Sequence, residues 1–325
     1  MSGTRMVTIL CWVVSALVLT GLLIWLLTSV IFGGWGLLSD INIFGIGSGR
    51  IESLSGSFDV RGVHTESTAG LHSINVKWVA GEVTLTPHDG NEVVVTEYAQ
   101  RELRNNEQMS ISTHNGTLRI EFRERGRVRA NMPRKHLEVL VPRELSQNLT
   151  NLYVNSTSGS IDISNFETTT MEVNSVSGAI KLSDIVSGSV EAGTTSGRIT
   201  GSVLRAGRFN ANTISGAITV SEANVTELNL NTISGAMTVS GEFDRIESST
   251  ISGGVSISSS TVPGRINSSS ISGGVSVYIP NTEEISVHHT AVSGRFASDV
   301  PVMMQHNAAY SFSSVSGNTN IYILN

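Results

Sequence analysis

The densest set of chemically capable side chains in the sequence is a run of cations: Arg119, Arg123, Arg125, Arg127, Arg129, Arg134, Lys135 and Arg143, interrupted by Glu121 and Glu124. Alternate arginines from 123 to 129 would project from one face of a strand. Such a row can hold an anionic ligand, because each guanidinium presents paired donors to a phosphate or carboxylate. It would equally serve as charge protection for a solvated hairpin edge. A second set is acidic. Glu172 and Glu191 occupy equivalent places in a repeat described below, where two carboxylates one level apart could share the proton transfers of glycoside cleavage. Few other acids stack with them, and two solvated surface acids is the plainer reading. His288-His289 is the single adjacent histidine pair, but neighbours in a strand point to opposite faces, so no metal site is expected there. The chain contains no G-x-S-x-G elbow, P-loop, H-E-x-x-H pair or EF-hand spacing. Gly253-Gly254 and Gly273-Gly274 lack the aspartates of calcium-binding nonapeptide repeats. No catalytic residue, cofactor or metal ligand is assigned.

Composition narrows the classes further. The 325 residues are 39% hydrophobic and 15% charged, with a net charge of −6. That suits a folded chain with a sizeable core and argues against a nucleic-acid binder, which needs a basic face. The one cysteine, Cys11, lies in an apolar N-terminal run, so neither an internal disulfide nor a cysteine zinc site can form.

The elements that must position these side chains are set by self-similarity. A periodic series of Ser-Gly dipeptides begins at Ser158, Ser177, Ser196, Ser215, Ser234, Ser252, Ser272, Ser293 and Ser316, at intervals of 18 to 23 residues and most often 19. Counting from each serine, position +3 holds Ile161, Ile180, Ile199, Ile218, Met237, Val255, Val275 and Phe296; position −6 holds Leu152, Met171, Val190, Phe209, Leu228, Ile246 and Ile266. Apolar positions at −6, −4, +3 and +5 alternate with polar ones, the period of strands with one buried face. A unit this short cannot bury its own face and must stack on its neighbours. The expected fold is therefore an all-β solenoid over residues 151–325, with Ser-Gly at a corner whose backbone angles glycine tolerates. Asn155, Asn174, Asn212 and Asn231 at −3, and Ser or Thr at −2, should form ladders that stabilise corners.

Residues 71–150 read as a non-repetitive β cap, with a hairpin joining 83–86 to 93–96 and strands at 118–122 and 137–141. Residues 33–70, rich in Gly and Ser, read as a stalk. Residues 6–32 carry no formal charge and are long enough to cross a bilayer as a helix. Arg5 precedes them, which places residues 1–5 in the cytoplasm and the rest outside. The run is longer than a signal-peptide core and lacks a good cleavage site, so an uncleaved anchor is preferred.

Three stretches resemble a bacterial "putative adhesin" β-strand-repeat family, domain of unknown function 4097: Ile74-Asn75-Val76-Lys77 with the segment 81–85, the junction Leu137-Glu138-Val139-Leu140-Val141-Pro142, and the series of Ser-Gly-x-Ile turns from Ser158 onward. The resemblance covers about residues 70 to 325. It implies a solenoid-like fold outside the cell and supplies no catalytic residues. Together these readings point to a non-enzymatic, single-pass surface protein that displays a β-solenoid for binding, adhesion or envelope sensing. Its expected partners are envelope polymers, lipid headgroups or other membrane proteins, with end-to-end self-association through an exposed, apolar C-terminus. The alternatives are a glycan-active enzyme using Glu172 and Glu191, or a structural spacer, for which an ice-binding rod would need flat threonine columns.

Overall fold

The structure is a computed structural model that describes residues 57–123, 133–306 and 308–324. The expected anchor at 6–32 lies outside the described residues. Among those described, no helix is long and apolar enough to cross a membrane. The described chain begins with β1 (Asp59–Ser67), β2 (Ser73–Trp78), β3 (Val83–His88), β4 (Glu92–Ala99), β5 (Ser110–His114), β6 (Thr117–Glu121), β7 (Lys135–Pro142), the single-turn helix α1 (Arg143–Ser146) and β8 (Leu149–Ser156). The regular part is β9 (Ile161–Ser175), β10 (Ile180–Thr194), β11 (Ile199–Thr213), β12 (Ile218–Ser234) and β13 (Met237–Ser252). The end comprises β14 (Val255–Ser259), β15 (Arg265–Ser272), β16 (Val275–Ile279), β17 (Ile285–Ser293), β18 (Phe296–Ser298), β19 (Val302–Met304), β20 (Tyr310–Ser316) and β21 (Thr319–Ile323).

The repeat is a parallel stack with each rung in register. Ile161, Ile180, Ile199, Ile218 and Met237 are successive partners, and all are at most 1% exposed. A one-residue slip would turn this whole column outward, so burial fixes the register. Along each rung the first side ends at the Ser-Gly corner, and the second side, which follows it, carries +3 and +5 inward.

The two corners have different physical causes. At the first, a Cβ on Gly159, Gly178, Gly197 or Gly216 would lie 1.6–1.9 Å from the carbonyl oxygen of the glycine one rung away. Glycine is therefore required by close approach, and none of these four has a positive φ. The −2 hydroxyls close the corner. Ser156, Ser175, Thr194 and Thr213 accept the N–H of Gly159, Gly178, Gly197 and Gly216 at 2.8–3.0 Å. From Gly235 onward the pattern changes: Gly235 and Gly253 donate instead to Ser252 and Ser272 of the following rung. The hydroxyls of Thr232, Thr250 and Ser270 are then buried without a partner. The second corner is left-handed at Asn165, Asp184, Val203 and Glu222, with φ of 52–62°.

Both ends depart from the sequence reading. β2 and β3 pair in parallel with β8 and β9, and a Cβ on Gly159 would strike the oxygen of Gly81. Ala80-Gly81 thus forms a rung of its own, with alanine in place of the corner serine. β6 and β7 add a further level outside it. The expected hairpin between 83–86 and 93–96 does not form, because β7 lies between β3 and β4 and buries Leu137, Val139 and Val141 there. β1, expected as stalk, closes this edge antiparallel to β4.

At the other end the last rung in sequence is not the last in space. β20 lies between β15 and β17, and β21 between β16 and β18. The C-terminal strand is therefore flanked on both sides rather than forming an open end. The outermost level is 285–304, where Val292, Met303 and Met304 are 58%, 50% and 56% exposed.

Candidate functional site

The outward side chains of the first side form continuous polar columns. In the −7 column Arg208, Glu227, Arg245 and Arg265 follow one another in register. Glu227 accepts from Arg208 at 2.7 and 2.9 Å and from Arg245 at 2.7 Å. Those guanidiniums, Arg208 first, hold Glu227 below the usual carboxylate range. Arg265 has no ion pair among the described residues, and its charged neighbour in the column is the like-charged Arg245. Beside them the −5 column carries Asn210, Asn229, Glu247 and Asn267, with Asn229 Nδ2 donating to Asn210 Oδ1 at 2.9 Å.

Between the two columns runs a cleft of about 380 Å³ lined by these eight residues and Ile246. It holds three arginines against two glutamates, with amides spaced one rung apart at about 4.8 Å. Planar guanidinium and amide groups at a fixed repeat suit a linear polymer of hydroxyl and anionic groups. The strands hold the spacing, so the site is built on rigid elements.

Five members of the predicted cationic patch are among the described residues. Arg119 stands exposed on β6, in the same −5 column, opposite Asn75 and one further level from Tyr153. Arg125, Arg127 and Arg129 lie outside the described residues; Arg123 and Arg134 flank that segment, half-buried and exposed respectively. Arg143 is exposed and pairs with Asp89 at 3.1 Å. Lys135 is not at the surface at all. It is fully buried, its Nζ 2.7 Å from Glu97 Oε1 and 2.6 Å from the Glu107 carbonyl, bonded also to the Phe122 carbonyl. The rings of Trp78 and Phe122 cover it. Burial pulls its pKa down to about 8, against the charge of Glu97. Lys135 therefore plugs the N-terminal end of the core and cannot meet a ligand; its position in an alternating strand concealed this.

Glu172 and Glu191 are register partners on adjacent rungs of the first side. Burial raises the pKa of both, and the charge of Glu191 adds to the effect on Glu172. They do not line the arginine cleft. His288 packs edge-on against His306 at 4.9 Å. Among the described residues no three His, Cys, Asp or Glu gather as metal ligands. The cleft arginines were missed because they are far apart in sequence; aligning every rung on its Ser-Gly pair places Arg208, Glu227 and Arg245 in one column.

The sequence profile of the Toastrack DUF4097 family matches residues 71–323. Among solved structures, one similar chain is a "putative lipid binding protein" from Parabacteroides distasonis, 16% identical, covering 82% of this chain and 97% of its own, with a TM-score of 0.47. A "putative adhesin" from the same organism is 13% identical over 82% of this chain and 98% of its own, TM-score 0.41. Another from Bacteroides fragilis is 11% identical over 83% and 98%, TM-score 0.41. Among curated proteins no sequence matches.

Proposed function

The chain belongs to the Toastrack DUF4097 family, and on that premise we propose that it is a non-enzymatic surface protein whose first side binds a linear, polar envelope polymer. In this reading residues 6–32 anchor the chain in the cell membrane with residues 1–5 inside, and the solenoid stands outside.

The observation that carries the proposal is the cleft of Arg208, Glu227, Arg245 and Arg265 beside Asn210, Asn229 and Asn267. Its donors repeat with the backbone, so a polymer of matching repeat gains a contact at each rung, and the gains multiply along its length. The excess of arginine favours a polymer carrying some negative charge. End-to-end contact between copies would use the 285–304 level with Val292, Met303 and Met304, not the C-terminal strand.

The test is co-sedimentation of the detergent-solubilised full chain with isolated wall, membrane and surface-protein fractions at low and high salt. Binding concentrated in the wall fraction and weakened by salt is expected. A variant with Arg123, Arg125, Arg127 and Arg129 changed to Ser separates that segment from the cleft. Binding to no fraction, or binding lost only in this variant, would overturn the assignment to the first side.

A further inference from the structure

The −3 amide ladder on the first side is interrupted once. Asn155 and Asn174 are register partners, as are Asn212 and Asn231, and in each pair one Nδ2 donates to the other's Oδ1, at 3.5 and 3.0 Å. The rung between these pairs places Gly193 where the ladder requires an amide, partnered with Asn174 on one side and Asn212 on the other. Gly193 lies within β10 and is not one of the positive-φ glycines, so its backbone does not demand glycine.

The missing amide leaves a specific deficit. Asn174 is 1% exposed. Its Nδ2 donates to Glu172 Oε1 at 2.8 Å and to Asn155 Oδ1, while its Oδ1 is buried with no partner. The carboxylate fixes this orientation, since a turned amide would set oxygen against oxygen. With Nδ2 facing Asn155, the oxygen faces the rung of Gly193. On that rung, two residues along the strand, stands Glu191, one level from Glu172 and so about 4.8 Å away along the stack. A buried carbonyl without a donor is destabilising, and two stacked carboxylates repel. A hard cation satisfies both, whereas a donor side chain would satisfy only the first.

We propose that Glu172, Glu191 and Asn174 Oδ1 form a calcium site in the gap left by Gly193. The set is all oxygen, irregular and incomplete, which suits Ca²⁺ with water completing its shell better than the strict octahedron of Mg²⁺. Few protein ligands imply weak binding, with a Kd of about 10⁻⁴–10⁻³ M, the range of extracellular modules. The ion would stiffen the first side one rung before the arginine cleft begins at Arg208, and the site does not depend on what that cleft binds.

Tyr153 supplies the test, because it is the register partner of Glu172 and can sensitise Tb³⁺ emission. With the full chain in detergent, tyrosine-excited Tb³⁺ luminescence should appear and be displaced by millimolar Ca²⁺ but not by equal Mg²⁺. Tyr153→Phe should remove most of the emission while calorimetric Ca²⁺ binding persists. Glu191→Gln should weaken Ca²⁺ at least tenfold. Gly193→Asn, which completes the ladder and supplies the missing donor, should abolish binding while the melting temperature holds or rises. Absence of Ca²⁺ binding at 10 mM in the unaltered chain would overturn the site, and so would binding unchanged in both Glu191→Gln and Gly193→Asn.

Discussion

Along the stretch that carries the cleft, the first and second sides share one backbone ladder and present opposite chemistry, whereas earlier in the stack the second side carries the Lys181–Asp162 ion pair. The first shows Arg208, Glu227, Arg245 and Arg265 beside a column of amides. The second shows Thr200, Thr219 and Thr238 beside Ser202 and Ser221, short hydroxyls that bond sideways at most, as Ser202 Oγ does to Ser183 Oγ at 3.2 Å. Inward, both sides bury aliphatic columns. Stability therefore resides in the inward columns and the corner, and the outward columns are free to specialise. The −2 hydroxyls, by contrast, are spent inside the corner.

The comparison breaks most completely at the corner that both sides share. Gly216→Ala would set a Cβ 1.7 Å from the Gly197 oxygen, and overpacking of this severity should cost about 3 kcal/mol or more in urea unfolding. Hydrogen exchange should report both sides loosening together; normal stability would show that the corner yields.

A finer cut separates the two halves of the stack. Thr194→Val strands the Gly197 N–H and should cost about 1–2 kcal/mol. Thr250→Val replaces a buried hydroxyl that has no partner, so denaturation should find it neutral or slightly stabilising. Equal costs would mean the corners are alike. Smaller still, Val203 holds a β-branched side chain at φ 52°, and Val203→Asn should raise stability by about 0.5–1 kcal/mol, because Asn tolerates this region.

Acid should act at the N-terminal cap. The Arg101 hydrogen bonds hold the pKa of Glu107 at about 2, below its ordinary 4.5. The folded chain then binds fewer protons than the unfolded one between these values, so the stability present above pH 4.5 is lost as pH falls towards 2. The melting temperature should fall over that window, and Glu107→Gln should flatten part of the fall.

Much of this architecture was legible because one constraint repeats. A column such as Ile161, Ile180, Ile199 and Ile218 announces stacking, and Ser-Gly announces the corner, whatever the reason for glycine there. Ala80-Gly81 escaped notice because alanine replaces the marker serine. The out-of-order ends could not be read, since parallel pairing by itself does not state which rung lies next to which. The site was harder. A dense local run of arginine drew attention to 119–143, where Lys135 proved to be core, whereas Arg208, Arg245 and Arg265 meet only through the fold. The Gly193 gap was visible as an exception in the −3 column, but its meaning depends on the unpartnered Asn174 oxygen.

The central claim is that recognition belongs to the first side. Its most direct test is equilibrium binding of the full chain to the wall fraction, comparing Arg208, Arg245 and Arg265 all changed to Ser with Thr200, Thr219 and Thr238 all changed to Ala. The first variant should weaken binding about tenfold or more, since one charge-assisted contact is worth about 1.5 kcal/mol or more. The second should stay within about twofold, as surface changes of this kind fall within about 0.5 kcal/mol. Binding that survives loss of the arginines and falls with loss of the threonines would contradict the account.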